Sequence, residues 1–317
     1  MAVLLVLVLL VVALVAVLVW FAARAFAPDP ATARQTCTAV VADPTDADVS
    51  FRAELAPDQT AYAALVVGVA NQRGLPARAA TIGIATAIQE SGLRNIDYGD
   101  RDSLGLFQQR PSQGWGSEGE VQDPLYATGA FYDALVQVDG YTDLDVTVAA
   151  QEVQRSGFPE AYADHEGEGR ALASALYGLA PASLACELRP VAVDADRPAP
   201  AEQAATLLAD LDDFGPTGWQ AGDVVAAPEP AATDATGTEP AGRPAAVVEL
   251  SAAGADRPDR VAWALAHSAV AMASARDVVR VEVAGQVWDR DRSDAGWTTP
   301  EEAGDAPDEG TVRVTLG

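Results

Sequence analysis

Glu90 lies in the stretch AIQESGLRN, where an apolar helical run gives way to glycine. On a helical wheel Ala80, Ile84, Ala87 and Ile88 share one side, while Ala79, Gly83 and Thr86 lie beside Glu90. A helix without a polar face is buried in a protein interior. A carboxyl group at the C-terminal end of such a helix meets an unfavourable dipole and partial desolvation, and both hold its proton on. That makes Glu90 a candidate general acid near neutral pH, the chemistry that glycosidic bond cleavage requires. An exposed glutamate in a last helical turn remains the plain alternative. Asp97, Asp100 and Asp102 form a second acidic cluster nearby. Asp102, nearest the following apolar tetrad, is the candidate second carboxylate if a water is activated. Asp100, Asp102 and Gly105 also match the first, third and sixth positions of a calcium loop, but Leu104 and Pro111 break the pattern. Aspartates capping turns are the third reading. The sequence calls for no metal and no cofactor.

The elements that must position these groups follow from periodicity. Helices are expected over Pro57 to Asn71, Pro76 to Ser91, Pro124 to Val136, Val146 to Arg155 and Gly167 to Gly178, with Gly74 and Gly92 as breaks. No stretch of this region alternates like a half-buried strand, so residues 50–188 are expected to form a mostly helical domain. Before it, residues 28–49 are rich in Pro and Asp and are expected to be a stalk. After it, residues 189–245 have the composition of an Ala/Pro/acidic linker, with a short helix around Glu202 to Leu211. Residues 246–317 are expected as a small α+β module: a helix from Pro258 to Ser274, strands in VVRVEVAGQVWDR, and a third strand in TVRVTLG.

Residues 1–27 hold an uncharged apolar run, Ala2 to Ala23, long enough for the roughly 20 residues that a bilayer-spanning helix needs. A cleavable signal peptide is the rival, with Ala25-Phe26-Ala27 resembling its cleavage site, although a basic n-region is missing. Arg24 and Arg34 follow the run, and by charge alone would keep the rest of the chain inside. The two cysteines argue the other way. Cys37 and Cys186 bracket the helical region, and a disulfide between them is typical of an extracytoplasmic compartment. In the chain-entropy account so long a loop would contribute about 4–5 kcal/mol. Two unrelated thiols are the alternative. The net charge of −26 and the absence of a basic stripe argue against nucleic acid as a partner.

Three motifs occur in order. IATAIQESGLRN is similar to the Glu-Ser motif of lytic transglycosylases and goose-type lysozymes. SLGLFQQRP resembles their Ser/Gly-Leu-Met-Gln segment, with Phe107 in place of methionine. DPLYATGAFYDAL resembles their DP-containing helix, keeping Asp123, Pro124, Gly129 and Tyr132. The resemblance covers about 140 residues and implies a mainly α, lysozyme-like fold. It also implies cleavage of peptidoglycan glycan strands at the β-1,4 bond after N-acetylmuramic acid, with Glu90 as acid and then base. Carried over by motif, Ser91 and Gln108 would position sugar, and Phe107 would form an apolar wall. Trp115, in PSQGWGSEG, would offer a ring face to sugar or anchor its loop. A fourth motif departs: where the family has Ala-Tyr-Asn-Ala-Gly, with a tyrosine on the glutamate, this chain has VQRSG. Gln154 and Arg155 then stand in the cleft, Arg155 pairing with Glu90 or binding a peptide carboxylate, and Tyr162 is a candidate replacement for the tyrosine. The C-terminal WALAH helix and V-x-W strand resemble small actinobacterial C-terminal domains and imply no activity. Packing is the expected role of Trp263, Trp288 and Trp297. The sequence thus leads to a membrane-anchored, outward-facing cell-wall glycosidase, and in a competing reading to a catalytically weak glycan-binding or envelope scaffold protein. It identifies no protein partner.

Overall fold

In the computed structural model the first described elements are strands, not a stalk. The structure describes residues 34–43, 45–192, 196–227, 245–300 and 306–317; the apolar run at 1–27 lies outside them. Strands β1 (Thr36–Asp43) and β2 (Asp46–Leu55) form an antiparallel hairpin, and β3 (Leu184–Glu187) adds on the other side of β1. Residues 36–43 and 46–49, within the range expected as a stalk, are therefore strand. The fully buried inward positions Cys37, Ala39 and Ala53 are small, with Leu55 buried and Phe51 partly buried alongside them. Such alternation carries little hydrophobic contrast, so the period-two signal is faint.

The helical part follows the expected order: α1 (Pro57–Gln72), α2 (Ala77–Ser91), α3 (Glu118–Gln122), α4 (Pro124–Leu135), α5 (Val146–Gln154) and α6 (Glu166–Leu176). Every residue of α2 from Ala79 to Ala87 is buried, as its all-round apolar wheel requires. Gly92 ends that helix in the left-handed region, φ 64°, where only glycine sits without strain. Asp123 caps α4, its Oδ1 accepting from the Leu125 amide at 2.9 Å, and Pro124 occupies the first turn, where its missing N–H is not needed.

The remainder is mixed α+β. Helix α7 (Pro200–Phe214) is longer than the short helix expected in the linker range and buries Leu207 and Leu211. It and α8 (Pro258–Ala271) pack on a second antiparallel sheet, whose order is β4 (Gln220–Ala221), β6 (Ala246–Ser251), β10 (Thr311–Leu316), β7 (Val278–Val283), β8 (Gln286–Asp289), β9 (Trp297–Thr298). Strand β5 (Val225–Ala226) also pairs with β6. The fold is thus mixed α+β with two antiparallel sheets, where a mainly α domain followed by a small α+β module was expected. Among the described residues no helix is long and apolar enough to cross a membrane.

Gln35–Gly317 forms one compact unit, so the C-terminal elements do not hang from a linker. The join is specific. Cys37 and Cys186 lie directly opposite each other on β1 and β3 and are disulfide-bonded, closing a separation of 149 residues. The Trp288 indole N–H donates to the Cys186 carbonyl at 3.1 Å, and that of Trp297 to the Leu184 carbonyl at 2.8 Å. His267 Nδ1 donates to the Ala175 carbonyl at 2.7 Å, and its ring forms a mutual cluster with Trp263 and Trp297, whose centroids are 5.3 and 5.9 Å from it and 5.1 Å from each other. Trp288 is fully buried and Trp263 nearly so, in the packing role expected of them. Gly178, at φ 68°, passes so close to the Arg260 carbonyl of α8 that no Cβ fits between them.

Candidate functional site

Glu90 lies half-buried in the last turn of α2, and Tyr162 donates its hydroxyl to Glu90 Oε1 at 2.6 Å. A short bond from a neutral donor to a carboxylate is charge-assisted and fixes the geometry of the acceptor. Oε2 takes no hydrogen bond among the described residues. Tyr162 is fully buried on a short 3-10 turn, Ala161–His165, between α5 and α6. Burial, and then the bond to Glu90, push its hydroxyl well above the ordinary tyrosine range, so it stays protonated and donates. Three residues further along, His165 holds the same turn in place: Nδ1 bonds to Glu168 at 2.8 Å and Nε2 to Gln89 at 3.3 Å. Neither His165 nor Gln89 stood out in the sequence, because nothing in their spacing shows that the turn folds back against α2.

Opposite the helix end, the turn Leu104–Gln109 is bridged antiparallel at its base, with amide-to-carbonyl bonds of 3.0 Å in both directions. Ser91 ties the helix to it, its hydroxyl lying 2.8 Å from the Leu106 carbonyl and 3.0 Å from that of Ala87, while accepting from the Arg94 amide. Ser91 therefore spends its hydrogen on backbone. Gln108 adopts a left-handed φ of 49° and donates to the carbonyls of Tyr98 and Gly105 at 3.2 and 3.3 Å. Phe107 is fully buried and stacks on Phe131 at 4.6 Å, so it supports the turn from beneath and its ring does not form the expected apolar wall. Its carbonyl accepts from Gln154 at 2.8 Å.

Arg155 caps α5 with a left-handed φ of 52° and is exposed. Its amide donates to the Gln151 carbonyl at 2.8 Å, but its side chain makes no ion pair or hydrogen bond among the described residues, and so does not pair with Glu90. Asp102 is spoken for: Oδ1 accepts from Arg110 at 2.8 Å and Oδ2 from the Ser112 amide at 2.8 Å. The hydrogen bonds from Ser112 and then Arg110 hold its carboxyl far below the usual range, which makes it a poor base. Asp97 and Asp100 are exposed. No group of three His, Cys, Asp or Glu side chains among the described residues is arranged to hold a metal ion.

A cavity of about 1030 Å³ lies beside this framework, lined by Trp115, Gln154 and Arg155 together with residues of α4, α5 and the loop between them. Glu90 does not line it. Of the expected site residues, then, the structure brings Glu90 and Tyr162 into direct contact, links Ser91 and Gln154 to one turn, and gathers Trp115, Gln154 and Arg155 around a neighbouring cavity. No protein-family model matches this chain, and no curated protein matches it.

Proposed function

We propose that the chain cleaves the glycan strands of peptidoglycan at the β-1,4 bond after N-acetylmuramic acid, using Glu90 as general acid and then base on a lysozyme-like helical framework. The observation that carries the reading is the 2.6 Å bond from Tyr162 to Glu90. The resemblance calls for a tyrosine on the glutamate, the matching motif lacks one, and Tyr162 supplies it from another position. A glutamate with one oxygen fixed and the other uncommitted is arranged to deliver a proton along a defined direction.

The route favoured is that of a lytic transglycosylase over a two-carboxylate hydrolase. Glu90 gives its proton to the departing 4-oxygen as the C1–O4 bond breaks. The 6-hydroxyl of the muramic acid then attacks C1 and returns its proton to Glu90, giving an anhydro end without a water nucleophile. One carboxylate suffices, which agrees with Asp102 being engaged by Arg110 and Ser112. The Cys37–Cys186 disulfide supports an extracytoplasmic setting. With residues 1–27 as a bilayer anchor, the protein would be membrane-bound and face the wall.

The second reading, a catalytically weak glycan-binding or scaffold protein, is favoured by the buried Phe107 and by the nearest large cavity lying off Glu90. Incubation of the full chain with peptidoglycan, followed by mass spectrometry of the soluble products, separates the two. Anhydro-ended fragments from the wild type, lost in Glu90→Gln, are the expected result. Wild-type protein that releases nothing leaves the binding reading, and equal release by the variant removes Glu90 from the mechanism.

A further inference from the structure

The cavity beside the Glu90 framework has a charge pattern of its own. Arg155 is its only basic lining residue, while Asp139 and Glu152 contribute the acid, and Trp115 and Val148 the apolar surface. Glu152 and Arg155 are three residues apart at the end of α5, a spacing at which helical side chains of opposite charge normally pair. They do not pair within 4 Å, and the left-handed backbone of Arg155 supplies the reason, because it turns that side chain off the helix face. Nor does Asp139 pair with it. The cavity therefore keeps one cationic and two anionic groups apart from one another, each without a counter-ion among the described residues. On a chain of net charge −26 an anionic ligand is repelled at long range, whereas a neutral zwitterion is not.

We infer that this cavity is a peptide-binding site, in which Arg155 takes a terminal carboxylate and Glu152 and Asp139 take an ammonium of the same short peptide. Guanidinium binds carboxylate through two parallel hydrogen bonds, and the half-buried Trp115 adds an apolar surface. Gln154 couples the site to the rest: it lines the cavity while its amide holds the Phe107 carbonyl of the turn that Ser91 fastens to α2. That the peptide is the stem attached to a glycan strand rests on the proposed function; the charge pattern does not.

The test is calorimetric titration of the full chain in detergent micelles with N-acetyl-L-Ala-D-isoGln-L-Lys-D-Ala, a zwitterion with one ammonium and one carboxylate, compared with its C-terminal amide and its Nε-acetyl form. The expected result is saturable binding of the free peptide, at least tenfold weaker binding of each blocked form, and at least tenfold weaker binding by Arg155→Asn. Asparagine tolerates the left-handed backbone, and an unchanged circular dichroism spectrum and Tm establish that this variant is folded. A Glu152→Gln, Asp139→Asn double variant is expected to lose the preference for the free ammonium while keeping that for the carboxylate. Equal affinity for the three peptides, equal affinity of Arg155→Asn for the free peptide, or no binding at all overturns the inference. Wild-type protein that binds with this selectivity yet releases no fragments from peptidoglycan removes the proposed function and leaves the site standing.

Discussion

The Glu90 end of the molecule and the His267 seam both set a titratable side chain among aromatic residues, yet they differ in what is left open. Glu90 is half-exposed, held on one oxygen by Tyr162, and its other oxygen takes no hydrogen bond among the described residues. His267 is completely enclosed, held on Nδ1 by the Ala175 carbonyl, and its Nε2 is buried without a partner. Burial drives the His267 pKa down to about 4, so the ring stays neutral and serves as packing. A polar group with an uncommitted atom at the surface can do chemistry. The same group sealed in the interior can only carry an energetic penalty, here that of an unsatisfied nitrogen.

The largest effect that would break this comparison concerns activity. Glu90→Gln is expected to lower glycan release by about 10²–10⁴-fold, the range for a lost general acid, with little change in Tm. A variant retaining a tenth of wild-type activity would reduce the Glu90 end to another structural cluster. The next effect belongs to the seam. His267 takes up a proton in the unfolded chain near pH 6.5 but in the folded one only near 4, so folding stability is expected to fall as pH drops from 6.5 towards 4. The loss would reach on the order of 3 kcal/mol. Urea unfolding between pH 7 and 4 measures it, and His267→Gln should show a shallower slope over that window. An identical slope in wild type and variant would mean that other groups govern the acid limb.

Tyr162→Phe sharpens the comparison at smaller scale. Losing one hydrogen bond to a carboxylate is expected to cost about 1–3 kcal/mol of stability and roughly tenfold in turnover. Unchanged turnover would make the tyrosine a core residue that happens to touch Glu90. The smallest effect is that of Asp102→Asn, expected to lower glycan release by less than about threefold, because both carboxylate oxygens are already taken by Arg110 and Ser112. A loss near that of Glu90→Gln would restore a two-carboxylate hydrolysis.

The helices that carry Glu90, Gln154 and Tyr132 were legible in the sequence to within a residue or two, because apolar residues recur there at helical spacing and Gly92, Asp123 and Pro124 punctuate the ends. The β1–β2 hairpin was not. Its inward Cys37, Ala39 and Ala53 are small, and the Pro and Asp residues around it read as a stalk. The seam escaped notice for another reason: its ties run from indole and imidazole N–H groups to backbone carbonyls some 90 to 110 residues away, and carbonyls leave no trace in composition. At the site, the sequence offered Tyr162 as a candidate but could not bring it to Glu90, since the 3-10 turn that does so has no periodicity of its own. Phe107 was misplaced because a phenylalanine beside a glycine turn reads equally as cleft wall or as core.

The Cys37–Cys186 bond also decides how the molecule bears tension. A pull applied at Gln35 enters β1 and passes at Cys37 through the sulfur bridge straight to Cys186 on β3, then onward along the chain. Everything between, from Thr38 to Ala185, lies off that covalent load path, and this shielded span contains Glu90, Tyr162 and the cavity around Arg155. A pull between Gln35 and the C-terminal end of the chain would strain the elements after Cys186 first. Under such an end-to-end pull the geometry around Glu90 would stay unloaded for as long as the bridge is oxidised.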